Sequence, residues 1–136
     1  MKKLLILIFM AGLFQTAFAQ EELVTEGPGI SFKEKLYDFG VINQGDTVEY
    51  TFEFENIGTA PLKILSARGS CGCTVPSYSK EEIAPGMKGE VFVRFNSAGK
   101  SGMQNKTVTL VTNIEDKTRK QVVLTLRGRV NVVSGR

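Results

Sequence analysis

Cys71-Gly72-Cys73 is where reactive side chains stand at a spacing that invites chemistry, and the chain holds no other cysteine. Joined, the two sulfurs would close a ring of about 11 atoms, and Gly72 lets the segment fold enough to bring the Cα atoms within bridging range. So short a loop removes little chain entropy, and a tight ring of this kind is easily reduced. Four uses follow: a structural pair, thiol-disulfide exchange, a soft-metal site of two thiolates, or a partner contact made by the loop. With no histidine, further soft ligands for a copper-type ion would have to be methionine. Past the apolar N-terminus only Met87 and Met103 are available. They lie at opposite ends of one expected strand, about 23 Å apart at ~3.3 Å per residue, so both cannot reach one ion. Met103 is the nearer candidate. Zinc is disfavoured, since structural sites take four ligands and no CxxC or histidine pair is present. No cofactor is expected.

Other motif-like strings have plainer readings. Asp38-Phe39-Gly40 matches a kinase triplet, but 136 residues cannot hold a kinase. It reads as a strand-end turn with a core phenylalanine. Pro85 to Gly89 lacks phosphate-loop spacing. Asn105-Lys106-Thr107 fits an N-glycosylation pattern of little weight, and Asp46-Thr47-Val48 fits a bacterial O-linked acceptor pattern that turn-to-strand use explains without sugar. Without histidine, Ser-His and Cys-His pairs are excluded, and no carboxylate pair sits in an evident pocket. The chain is expected not to be an enzyme.

The N-terminus has three segments: basic Met1-Lys2-Lys3, the apolar run Leu4 to Phe14, and small residues at Ala17 and Ala19. This is the layout of a cleaved secretory signal over residues 1–19. The stretch from Leu4 to Ala19 is about 16 residues, short of the ~20 that span a bilayer. No cysteine follows it to accept a lipid anchor. The expected product is exported, periplasmic or secreted, with no membrane span after cleavage and its first residue at Gln20. Removing 19 residues from 136 leaves 117, enough for one domain. Of 17 basic and 14 acidic residues, Lys2 and Lys3 would leave with the signal. The near-neutral remainder argues against a nucleic-acid partner, which needs a basic stripe.

The elements that must position the cysteines are strands. Residues 20–29 read as a flexible lead-in and 30–134 as the domain. Val48, Tyr50, Phe52 and Phe54 alternate with Glu49, Thr51, Glu53 and Glu55, the period of a half-buried strand. Val91, Val93 and Phe95 repeat the pattern, as do Val108 with Leu110 and Val122 with Leu124 and Leu126. Leu62, Ile64 and Leu65 form a less regular strand, and Ile30 to Phe32 an edge strand. Turn residues separate them at 43–46, 56–59, 84–86, 97–99 and 113–116. About seven antiparallel strands, each with one apolar face, predict an immunoglobulin-like β-sandwich. If each loop reverses the chain, the Cys71–Cys73 turn shares an end with residues 97–104. Gly69 and Gly72 would supply unusual backbone angles there, and Pro76 marks the returning strand as an edge.

A set of pieces in order carries a resemblance. They are Phe32, Tyr37-Asp38-Phe39-Gly40, Phe52-Glu53-Phe54-Glu55-Asn56 with Gly58, Pro61-Leu62, Cys71-Gly72-Cys73-Thr74 with Pro76, Ile83 to Gly86, Phe95, Gly99-Lys100, Gly102 and Thr112-Asn113. Over about 30–130 the chain resembles a bacterial exported family known as a domain of unknown function. More distantly it is similar to major-sperm-protein and Hydin-type sandwich domains. The resemblance implies an immunoglobulin-type fold and a non-enzymatic binding or scaffold role.

A protein partner in the envelope is the expected ligand. Glu49 and Glu53 would point outward from one sheet, and Arg127 and Arg129 from the other, giving the two outer faces opposite charge. Phe92, Val111 and Val123 would add outward apolar spots. That pattern suits head-to-tail or partner contacts.

Overall fold

The computed structural model describes residues 26–134. Within them lie eight strands: β1 (Ile30–Phe32), β2 (Leu36–Asn43), β3 (Thr47–Asn56), β4 (Ile64–Gly69), β5 (Thr74–Tyr78), β6 (Lys88–Asn96), β7 (Gly102–Thr112) and β8 (Gln121–Asn131). They form two four-stranded sheets, ordered β1-β3-β6-β5 and β2-β8-β7-β4. This is the ABED and CFG arrangement of an immunoglobulin sandwich, with β2 added beside the last strand. The expected N-terminal signal lies outside the described residues.

The alternation read from the sequence decides the core. Phe52, Phe54, Val91, Val93 and Phe95 face inward from the first sheet, against Val108, Leu110, Leu124, Leu126 and Val130 of the second. Tyr50 is half-buried, its ring stacked on Tyr37 at 3.9 Å and edge-on to Phe52. Its hydroxyl donates to Glu34 at 2.8 Å. That hydrogen bond, then burial, then the carboxylate's charge push the phenol above its ordinary range.

Two features differ from the sequence expectation. Eight strands stand where about seven are expected, and one pairing is parallel. The extra strand is β2, which holds the Asp38-Phe39-Gly40 triplet read as a strand-end turn. It runs parallel to β8, from Leu36 beside Thr125 to Asn43 beside Asn131, with a bulge between Asp38 and Gly40. Gly40 takes a φ of 71°, and its amide donates to the Asp38 carboxylate at 2.9 Å. The turn chemistry is real, but it bends a strand instead of ending one. Phe39 points inward in step with Tyr37, and the extra residue of the bulge turns Ile42 inward beyond it, so all three pack against the core. Gly128 lies beneath the Phe39 ring, and a Cβ there would run into it.

Residues 27–29 are also more tightly held than a flexible lead-in. Thr59 donates its amide to the Gly27 carbonyl at 2.8 Å, and Ile57 to that of Gly29 at 3.2 Å. The anchor of this end is Asn56, which is fully buried. Its amide donates to the Ala60 and Ile83 carbonyls, both at 2.8 Å. Its carbonyl accepts from Gly29 at 3.3 Å and Gly58 at 2.9 Å. One side chain thus binds four backbone groups, three of them beyond any strand pairing and the fourth, the Ile83 carbonyl, shared with the Leu62 amide.

At the opposite end, Ser97 does similar work. It is fully buried, donates to the Asp46 carbonyl at 2.6 Å and accepts from the Gly45 amide at 3.0 Å. This end holds turns 43–46, 70–73 and 97–101, so the cysteine turn sits where loop reversal places it.

Candidate functional site

The cysteine turn crosses from the end of β4 to the start of β5, and so from one sheet to the other. Backbone hydrogen bonds pin it on three sides. Ser70 donates its amide to Thr107 on β7 at 2.8 Å, Asn96 at the end of β6 donates to the Cys73 carbonyl at 2.9 Å, and Thr74 closes the turn onto the Cys71 carbonyl at 3.1 Å. Cys71 and Cys73 form a disulfide, with Cα atoms 5.2 Å apart. The glycines act differently from the expectation. Neither Gly69 nor Gly72 has a positive φ. Gly69 is needed because the Thr74 carbonyl lies where its Cβ would be, while Gly72 faces open space.

Strand alternation brings Thr74 inward with Tyr78, and Thr74 is buried. Its hydroxyl lies 3.7 Å from the Cys71 sulfur and 3.8 Å from the Cys73 sulfur. A bridged sulfur carries no proton, so the hydroxyl is the donor. Thr74 pairs with Phe95 in the ladder, and the Lys106 ammonium rests over that ring, 5.9 Å from its centroid. Cys73 packs against the core cluster, whereas Gly72 at the tip is exposed. Sequence reasoning found the cysteines and missed Thr74 and Lys106. The available signal for Thr74 was its place two residues before Pro76 and four before Tyr78, on one strand face.

Met103 does not join this turn. It points outward from β7 beside Arg129 and is 63% exposed. Thr107, not Met103, meets the cysteine turn, and four residues of extended strand span about 13 Å.

The remaining candidates fall on the outer faces. Glu49 and Glu53 lie on β3, Arg127 and Arg129 on β8, in different sheets as expected. Two of the four are already paired within their own sheets. Arg94 binds Glu49 at 2.7 Å, and Arg127 reaches Asp38 at 3.6 Å. Both pairs are half-exposed, which limits their worth to a fraction of a kcal/mol. Arg129 has no carboxylate within 4.0 Å among the described residues. Glu53 stands opposite Glu90 in the ladder, and both line an open cleft of about 470 Å³ with Lys88, Phe92 and Tyr78.

Across the second sheet the outward rows are specific. Val41, Arg129 and Met103 form one row, Asp38, Arg127 and Asn105 the next, then Leu36, Thr125 and Thr107, then Val123 and Thr109 with Arg68. Leu36, Val41, Met103 and Val123 are each at least 44% exposed. The face is apolar in patches, rich in threonine and basic.

A family described as "Protein of unknown function (DUF1573)" matches residues 30–130. The chain belongs to this DUF1573 family. No curated protein matches it. Among solved structures it resembles a protein of unknown function from Porphyromonas gingivalis W83, at 15% identity and a TM-score of 0.65. The likeness covers 78% of this chain and 48% of that one, so the chain spans about half its relative's length. The ASH/PapD-like domain 7 of human CEP192 matches at 15% identity and a TM-score of 0.56, over 77% of this chain and 87% of that domain. The Vibrio cholerae secreted serine protease VesC matches at 18% identity and a TM-score of 0.58, over 75% of this chain and 23% of the protease. At these identities the likeness is one of fold. The DUF1573 chain is an immunoglobulin-like sandwich of the kind seen in PapD-like domains.

Proposed function

We propose that this DUF1573 chain is exported and serves in the cell envelope as a non-catalytic binding module, engaging a protein partner through the outer face of the second sheet. The carrying observation is the outward row Val41–Arg129–Met103, with exposed Leu36 and Val123 two and three rows further along the same face. Apolar side chains set around an arginine without a carboxylate partner among the described residues suit a partner surface that is apolar with acidic rims.

The sheet edges are poor alternatives. β1 has three residues, β2 carries the Asp38–Gly40 bulge, β4 is irregular between Ile64 and Ser66, and β5 contains Pro76. Short, bulged or proline-bearing edges resist strand addition, which leaves the faces as the recognition surface. A photo-reactive residue placed at Val123 in cells tests this against one at Thr51 on the opposite outer face. The expected result is one crosslinked partner from position 123, lost in Arg129→Glu. Crosslinking from position 51 alone would assign recognition to the other face, and recovery of the protein in the cytoplasmic fraction would remove the envelope role.

A further inference from the structure

We propose that Cys71–Cys73 is an exchange-active disulfide, which accepts an electron pair from a dithiol on a partner protein. Its surroundings support cycling more than bracing. The bridge spans two residues, so opening it frees almost no chain. The turn is already held by the amides of Ser70, Thr74 and Asn96, and none of these bonds involves sulfur. Two thiols released there remain side by side on a fixed backbone.

The two sulfurs are not equivalent. Both are half-buried, but Cys73 packs against the core cluster and Cys71 does not. An incoming thiolate therefore attacks the Cys71 sulfur. The new bond joins the partner's sulfur to Cys71, the old bond breaks, and Cys73 leaves as a thiolate. The Thr74 hydroxyl, 3.8 Å from that sulfur, donates to the charge that forms. Lys106 on the facing sheet rests over Phe95, the ladder partner of Thr74, and so adds a positive charge on the core side of this turn. The partner's second thiolate then attacks its own sulfur in the mixed disulfide, and Cys71 leaves as a thiolate. The partner dithiol is oxidised to a disulfide, and this chain is reduced to a dithiol. Thr74 is a positioning residue: it takes no part in bond exchange and sets the stability of the leaving sulfur.

The test equilibrates the purified protein with mixtures of reduced and oxidised glutathione, then quenches, alkylates and weighs it. Half-reduction within mixtures where both glutathione forms are abundant, with an unchanged amide spectrum of the sandwich, is the expected result. A bridge that stays closed in reduced glutathione alone, or one whose opening unfolds the sheets, would overturn the proposal. Brief exposure to reduced glutathione, quenched with acid and followed by alkylation of the released thiol, should leave glutathione on Cys71 and the alkyl group on Cys73 when the peptide is fragmented. Glutathione on Cys73 would overturn the assignment of Cys71 as the attacked sulfur. In Cys71→Ser, Thr74→Val should raise the Cys73 thiol pKa, and Thr74→Ser should restore it. An unmoved thiol would remove Thr74 from the site.

Discussion

Single side chains set both ends of this sandwich, and Asn56 bears most at its end. Replacing it with alanine strands the Gly29 and Gly58 amides and the Ala60 carbonyl, while the Ile83 carbonyl keeps only the Leu62 amide. Chemical denaturation should show a loss of about 2–4 kcal/mol, since unpaired buried groups keep their full desolvation cost. In the core, Phe52→Ala should cost about 3–5 kcal/mol, while the outward Thr51→Ala costs little. Equal losses would mean a register shifted by one residue. The disulfide sits at the other extreme. A loop this short contributes only about 1.5 kcal/mol of entropy, so Cys73→Ala should lower the melting temperature by a few degrees. Asp116 gives a pH signature. The Thr118 hydroxyl and amide, then Arg119, hold its carboxyl at about 2, below the ordinary value of 3.8. A depressed carboxylate stabilises its turn above the unfolded value, and that contribution disappears as pH falls through about 2. The Thr118 amide resonance should titrate with that midpoint, and Thr118→Val should move the midpoint upward.

Among the elements, strands with clean alternation were legible and the bulged one was not. β3 reads Val, Tyr, Phe, Phe on one face and Thr, Glu, Thr, Glu on the other, so its existence, register and inward face followed from the residues. β2 reads Leu, Tyr, Asp, Phe, Gly, Val, and its turn-forming pair breaks the period. Local rules favour a turn there, and what overrides them is tertiary: a ladder to β8, far along the chain, which no local pattern reveals. The cysteine turn shows the same division. Its place at one end followed from loop reversal, whereas the contact of Thr74 with both sulfurs depends on how closely β4 and β5 approach at Gly69. Gly128→Ala tests the bulged element directly. The added methyl displaces Phe39, so amide exchange across 36–43 should accelerate while β3 and β6 stay protected. Uniform acceleration through both sheets would mean that β2 is integral to the global unit.

For the molecule as a whole, the first expectation concerns its start. Envelope protein analysed by intact mass should begin at Gln20, or at its cyclised form, and a mass that retains residues 1–19 would mean a membrane-anchored chain. A second property follows from the parallel pairing of β2 with β8. These are the first long strand and the last strand, and they run side by side in the same direction. Pulling the two chain ends apart therefore drags one strand lengthwise against the other, and the Leu36–Asn43 hydrogen bonds to β8 share the tension simultaneously. An antiparallel pair with both ends at one side would lose its bonds in succession, like a zip. Stretched in a force-measuring instrument, the domain should yield in a single abrupt event, and Ile42→Pro, which removes a donor from that ladder strand, should lower the yield force more than Val75→Pro in β5. Held at its two ends, such a domain should resist tension until that whole ladder shears at once.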